Sequence, residues 1–120
     1  MYEVKITRDF AAAHRVLDYP GKCEQLHGHN WKVEVIARNR ELDNLSMVLD
    51  FRKLKEAANQ VIEKLDHNYL NEIPPFTEVT PTAENIARYL YDEISRKLDI
   101  GVYRVNVFET ETCMASYYED

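Results

Sequence analysis

Residues 27–38, HGHNWKVEVIAR, contain the alternation that decides the fold. One parity along this stretch is made up of His27, His29, Trp31, Val33, Val35 and Ala37. Because successive side chains of a β-strand point to opposite faces, the pattern predicts a strand with one buried face, running from His27 to about Arg38. It also places the imidazoles of His27 and His29 on the same side of that strand.

A similar alternation predicts an earlier strand at the start of the chain. The apolar residues Tyr2, Val4, Ile6 and Phe10 alternate with the polar residues Glu3, Lys5, Thr7 and Asp9. A connection with turn residues, Asp18-Tyr19-Pro20-Gly21, follows. His14 lies just past this predicted strand, so it can approach His27 and His29 if the two strands pair as a hairpin.

After the second strand the apolar spacing changes to three and four residues, which predicts two amphipathic helices. The first helix has Asp50 as its predicted N-cap and should end near Asp66. The second should open at Thr80-Pro81, since proline is favoured at the first helical position, and Gly101 follows its end. The two apolar stripes are Phe51, Leu54, Ala58, Val61 and Leu65, then Ala83, Ile86, Ala87, Leu90, Ile94 and Leu98.

The end of the chain predicts two more strands. Val105, Val107 and Glu109 share one parity of a third strand, and residues 113–118 make a short fourth. The order strand, strand, helix, helix, strand, strand predicts an α+β fold, an antiparallel four-stranded sheet with both helices on one face. No linker or repeat divides residues 1–120, which predicts a single domain. Exposed sheet edges favour a homo-oligomer that joins sheets edge to edge.

The composition limits the partners of the chain. Its 120 residues include 21 acidic and 15 basic side chains, for a net charge of −6. Nucleic-acid binding is not expected, because no concentrated basic patch is present. No apolar run approaches the ~20 residues that cross a bilayer, and no signal peptide is evident, so we expect a cytoplasmic protein without a membrane partner. The two cysteines, Cys23 and Cys113, are expected to be free thiols.

The histidines suggest a metal site. Three converging imidazoles, from His14, His27 and His29, would suit Zn²⁺ with an open fourth position for water or substrate. The His-x-His spacing alone is a weak signal, and each histidine could instead be a hydrogen-bonded core or surface residue.

Cys23, four residues before His27, has three interpretations. It could be a small buried apolar residue. It could be a fourth zinc ligand, which would close the site and make it structural. It could also be a thiolate base beside the metal, with its pKa lowered by the cation. The spacing does not decide among them.

Two acidic positions complete the candidates. Asp66-His67 could be an acid/base pair, although a histidine at a helix C-terminus that interacts with the dipole explains the same residues. Glu109 continues an apolar strand parity, where a carboxylate needs a partner such as a ligand with adjacent N–H groups. Alternatively, the strand has already reached solvent at Glu109.

Six fragments in order resemble the 6-pyruvoyltetrahydropterin synthase and 6-carboxytetrahydropterin synthase family, and the resemblance covers nearly the whole chain. They are Phe10-Ala11-Ala12-Ala13-His14-Arg15, Cys23-Glu24-Gln25-Leu26-His27-Gly28-His29-Asn30, Met47-Val48-Leu49-Asp50-Phe51, Leu65-Asp66-His67-Asn68-Tyr69-Leu70-Asn71, Pro81-Thr82-Ala83-Glu84-Asn85 and Phe108-Glu109-Thr110. One departure is Ser46, where the family often has glycine, and we expect it to alter a turn.

The resemblance implies the tunnelling fold (T-fold), assembled as a trimer or a dimer of trimers. It implies Zn²⁺ on His14, His27 and His29, and Cys23 as the catalytic base. Asp66 and His67 would form a second acid/base element, contributed across a subunit interface. Glu109 would anchor a pterin ring, with Thr82 nearby. Arg15 and Lys22 are candidates for binding triphosphate.

The Cys-x-x-x-His-Gly-His spacing is closest to the carboxy-forming type of the queuosine pathway. This type is a lyase that converts 7,8-dihydroneopterin triphosphate to 6-carboxy-5,6,7,8-tetrahydropterin, acetaldehyde and triphosphate. Three alternatives stay open: a 6-pyruvoyltetrahydropterin synthase, a structural zinc protein with Cys23 as fourth ligand, and a metal-free binding module.

Overall fold

The computed structural model describes residues 1–16 and 26–120. Its strands and helices are β1 (Tyr2–His14), β2 (His27–Asn39), α1 (Phe51–Ile62), β3 (Asn68–Tyr69), α2 (Ala83–Ser95), β4 (Arg104–Thr110) and β5 (Cys113–Tyr118), with a 3₁₀ turn at Leu70–Glu72. The order confirms the predicted α+β arrangement. Among the described residues, no helix has the length and apolar character needed to span a bilayer.

The sheet has the strand order β3-β1-β2-β4-β5. The four predicted strands are antiparallel neighbours, and β1 pairs with β2 along its whole length, from Tyr2 opposite Asn39 to His14 opposite His27. The fifth strand, β3, was not predicted. It pairs in parallel with β1 over only two residues, too few to produce a periodic sequence pattern.

Both helices cover one face of the sheet and close a single core. α2 packs on β4 and β5, while α1 packs on β1 and α2. Trp31, Val33 and Val35 of β2 are fully buried against this layer. Each such side chain contributes roughly 1.5–3 kcal/mol to stability by leaving water. The same strand face continues to His29 and His27, so the core and the candidate site share one side of the sheet.

Two predicted boundaries and one predicted buried position were wrong. β1 includes His14 as its last residue, because pairing with β2 extends that far. α1 ends at Ile62, short of Asp66, although Leu65 is still fully buried in the turns that follow. Phe51 belongs to the predicted stripe but is 53% exposed at the first position of the helix.

The start of α2 also differs from the prediction. Thr82, rather than Thr80, is the N-cap, and its Oγ1 accepts a hydrogen bond from the backbone N–H of Asn85 at 3.2 Å. Pro81 therefore lies just outside the helix, and its carbonyl is free to face the sheet. The predicted cap of α1 is confirmed, because the Asp50 carboxylate accepts from the N–H of Arg52 at 2.9 Å.

Ser46 lies in the turn before α1, where the sequence predicted an altered turn. Its φ is +64°, in the left-handed region that disfavours a residue with a Cβ. Asp43 holds this turn, because its carboxylate accepts from the N–H groups of Leu45 at 2.8 Å and Met47 at 3.0 Å. The predicted alteration is therefore backbone strain at a position that suits glycine.

Replacing Ser46 by glycine should relieve that strain. We expect Ser46→Gly to raise the free energy of unfolding by roughly 0.5–1 kcal/mol, because the lost strain exceeds the added entropy of the unfolded chain. Urea denaturation measures the change. Gly101→Ala is the matched control with the opposite sign, since Gly101 has φ +70°. A Ser46→Gly variant that is less stable than the parent would contradict this account.

Candidate metal centre

The three predicted histidines meet at one end of the β1–β2 hairpin. His14 is the last residue of β1 and lies opposite His27, the first residue of β2. His29 lies opposite Ala12, two positions further along the same face. The hairpin predicted from the alternation therefore brings all three imidazoles together.

The ligand atoms of this cluster are close enough to share one ion. His14 Nε2 lies 3.0 Å from His27 Nε2, and the ligand atoms of the three histidines and Glu109 all lie within 4.8 Å of one another. Tetrahedral Zn²⁺ with bonds of about 2.0–2.1 Å places its ligand atoms about 3.3 Å apart. The observed separations bracket that value, so small side-chain adjustments would complete such a site.

His14 is oriented as metal-binding histidines usually are. Its side chain is 1% exposed, and its Nδ1 lies 2.8 Å from the carbonyl oxygen of Pro81. Because a carbonyl only accepts, Nδ1 carries the hydrogen and the Nε2 of the neutral ring presents a lone pair to the cluster. A backbone carbonyl in this role fixes both the tautomer and the ring orientation.

His29 provides further evidence that this cluster fits a cation. Its Nε2 is buried, and among the described residues it has no hydrogen-bond partner, although Glu109 Oε1 lies 3.0 Å away. An unsatisfied buried nitrogen is costly, and a cation would satisfy it. Burial lowers the pKa of both His14 and His29, which keeps their rings neutral and able to bind a metal.

Glu109 points into the cluster from β4. Val107 is fully buried and Glu109 is one-third exposed, so the strand is approaching solvent as one interpretation expected. Its carboxylate nevertheless faces the imidazoles, at 3.8 Å from His14 Nε2 and 4.0 Å from His27 Nε2. The carboxylate can therefore meet either a cation or a ligand bound beside it.

Asp66 and His67 form a pair at the outer edge of β1. Asp66 Oδ1 accepts from the backbone N–H of Ala11 at 2.9 Å and lies 3.0 Å from His67 Nδ1. The Ala11 N–H is the main reason why the pKa of Asp66 is lowered. The His67 side chain is 82% exposed and its φ is +59°. Because α1 ends at Ile62, the alternative of a helix-terminal histidine is not supported.

An open depression of ≈ 540 Å³ lies beside the Asp66–His67 pair, mainly on the sheet face opposite to the three imidazoles. His29 and His67 both line it, and Ala11, Ala13 and Gly28 form part of its wall. Among the described residues, no atom lies within 4 Å of the position a Cβ would occupy on Gly28.

The other residues that the sequence suggested for the site are not all part of the histidine cluster. Cys23 and Lys22 lie outside the described residues. Thr82 caps α2 and directly follows Pro81, whose carbonyl oxygen lies 2.8 Å from His14 Nδ1. Arg15 is exposed, and its main chain bonds to the side chain of Asn71. The sequence reasoning missed the Pro81 carbonyl and Asn71, because main-chain bonds carry no residue-type signal.

Comparison with known proteins identifies the family. The sequence profile described as 6-pyruvoyl tetrahydropterin synthase matches residues 3–120. A chain from Archaeoglobus fulgidus, provisionally named 6-carboxy-5,6,7,8-tetrahydropterin synthase, is 42% identical over 110 residues, covering 90% of this chain and 88% of its own. The human 6-pyruvoyl tetrahydrobiopterin synthase is 36% identical over 124 residues, covering 90% of this chain and 85% of its own.

The structural comparison agrees. The structure of the 6-pyruvoyl tetrahydropterin synthase of Caenorhabditis elegans superposes with a TM-score of 0.90 and 26% identity, over 99% of this chain and 96% of that one. The fold is thus the T-fold, and the described group of histidines and Glu109 could hold a metal ion. This chain belongs to the 6-pyruvoyl tetrahydropterin synthase family. The resemblance to the family's synthases, and with it the expectation of a lyase-type enzyme, is confirmed.

The buried imidazoles predict an acid-sensitive metal-free protein. The folded-state pKa values of His14 and His29 lie below the ordinary 6.5, so the unfolded chain binds more protons in the window below that pH. The free energy of unfolding should therefore fall as the pH is lowered through about 6.5. Urea denaturation with a chelator present, at several pH values, measures this.

One variant tests the assignment. His29→Gln should flatten the pH dependence, because it removes one of the two imidazoles whose pKa burial lowers. Stability that rises on acidification through this window would contradict the prediction.

Proposed function

We propose that this protein is a zinc-dependent 6-carboxytetrahydropterin synthase. It would convert 7,8-dihydroneopterin triphosphate and water to 6-carboxy-5,6,7,8-tetrahydropterin, acetaldehyde and triphosphate, in queuosine or deazapurine biosynthesis. The observation that carries this proposal is the convergence of His14, His27 and His29, with His14 held by a carbonyl and His29 Nε2 buried without a hydrogen bond. Membership of the family supplies the class of substrate.

Zn²⁺ is the cation proposed for this centre. Three imidazoles with room for one further ligand are typical of catalytic zinc sites, and the ion supplies Lewis acidity toward the side-chain oxygens of the substrate. The neutral state that burial favours in His14 and His29 suits this role. Glu109 is then available for the pterin, because a carboxylate can accept from the ring N–H and the amino group at once.

Proton transfer is assigned to Cys23 and to the Asp66–His67 pair. As a thiolate, Cys23 would remove a proton from the substrate side chain. Asp66 fixes the hydrogen of His67 on Nδ1, which leaves Nε2 to exchange a proton with the substrate. The high exposure of His67 fits a group that reaches the site of a neighbouring subunit. Thr82 and Arg15 stay proposed substrate contacts.

The protein would act as a homo-oligomer, a trimer or a dimer of trimers. Among the described residues, no strand pairs with the outer edge of β5 or with the part of β1 that β3 does not cover, so a second copy could pair with either edge. Such an assembly would bring the exposed His67 of one copy to the metal centre of another.

The second candidate is a 6-pyruvoyltetrahydropterin synthase, which would eliminate triphosphate without breaking the carbon–carbon bond. The observation that favours this candidate is the 36% identity to the human 6-pyruvoyl tetrahydrobiopterin synthase. The third is a structural zinc protein in which Cys23 closes the coordination sphere.

Product analysis distinguishes these functions. Zinc-loaded protein incubated with 7,8-dihydroneopterin triphosphate should yield 6-carboxytetrahydropterin and acetaldehyde, identified by mass spectrometry. Recovery of 6-pyruvoyltetrahydropterin would transfer the assignment to the second candidate. Absence of any pterin product from folded, zinc-loaded protein would contradict both.

The two cysteines of the chain provide a test of the catalytic base together with its control. Cys23→Ala should keep its zinc but lose about 10²-fold or more in kcat, as expected for removal of an acid/base group. Cys113→Ala, at an exposed position on β5, should change neither zinc content nor kcat. Loss of zinc with Cys23 would favour the structural site.

A further inference from the structure

The segment from Asp66 to Asn71 follows the outer edge of β1 at its metal end. The N–H of Ala11 donates to Asp66 Oδ1 at 2.9 Å, and the N–H of His67 donates to the Ala11 carbonyl at 2.6 Å. The two residues of β3 then pair with Ala12 and Ala13. The segment that carries His67 is therefore bound directly to the strand that carries His14.

Asn71 extends this attachment by one more step. Its Oδ1 accepts from the backbone N–H of Arg15 at 2.8 Å, and its Nδ2 donates to the Arg15 carbonyl at 2.9 Å. The Asn71 amide therefore both accepts from and donates to the main chain of one residue, as the backbone of a residue in a paired strand does. Arg15 directly follows His14, so the bonds lie one residue from the buried imidazole.

We propose that Asn71 is a positioning residue for the metal centre. Its amide holds the main chain at Arg15 and thereby fixes the backbone of His14, so that Nε2 stays aimed at the cation. This inference rests on the proposed function, since it takes His14 as a metal ligand. The backbone of residues 11–15 would then hold both the Asp66–His67 pair and His14 in place.

The position of Asn71 explains why this attachment matters. His14 is the last residue of β1 paired with β2, and the last main-chain pair on its other side joins Ala13 to Tyr69. Among the described residues, Asn71 is the side chain that bonds the main chain of Arg15. Aspartate would keep the acceptor but place a second oxygen against the Arg15 carbonyl, and alanine would remove both bonds.

The test compares two asparagines that both bond to residues of β1 or its extension. Asn59 Oδ1 accepts from Arg8 Nε at 2.8 Å, in the part of β1 away from the histidines. Asn71→Ala should raise the dissociation constant for Zn²⁺ about tenfold, as loss of outer-shell support does, measured by competition with a chromophoric chelator. Asn59→Ala should change it by less than about twofold, even if both variants lower the melting temperature alike.

Asn71→Asp is the second variant and guards against a failure to fold. It should weaken zinc binding in the same direction, and with Co²⁺ in place of zinc it should broaden the visible absorption bands. Equal zinc affinities for Asn71→Ala, Asn71→Asp and the parent would overturn the proposal, as would equal losses in the Asn71 and Asn59 variants. A parent protein that binds no zinc would instead overturn the proposed function.

Discussion

The antiparallel register of β1 against β2 is the constraint on which the candidate metal centre depends. Placing His14 opposite His27 brings one imidazole from each strand together, and His29 follows on the same face. A slip of one residue would turn one of these sets to the other face of the sheet. The core prevents that slip, because Phe10 lies opposite the fully buried Trp31 and stacks on it with ring centroids 6.0 Å apart. Packing of apolar residues thus determines where the three imidazoles meet.

The other layers of the molecule each add one restraint to this arrangement. The cap at Thr82 sets the start of α2 and leaves the Pro81 carbonyl to hold the ring of His14. The segment after α1 attaches Asp66 and His67 to the edge of β1. Burial keeps two of the imidazoles neutral, which costs the metal-free protein stability but leaves lone pairs available. A bound cation would recover that cost.

The sequence could predict most of the sheet and the convergence of the three histidines. The period of two located the four main strands, and the equal parity of His27 and His29 placed them on one face. It could not predict β3, which has two residues and no period, or the end of α1, where Leu65 is buried in turns and thus continues the helical pattern. It also missed Pro81 and Asn71, because their contacts involve main-chain groups that every residue has. The geometry around Cys23 lies outside the described residues, so its role stays a prediction.

The most direct test is the coordination of the metal itself. X-ray absorption at the zinc edge, on protein loaded with one equivalent of Zn²⁺, should find three imidazole nitrogens at about 2.0–2.1 Å and one further light atom, oxygen or nitrogen. The same spectrum from the His14→Ala variant should lose one imidazole. A sulfur ligand at about 2.3 Å, or a parent protein that takes up no zinc, would contradict the central claim that three imidazoles hold a cation with one position open.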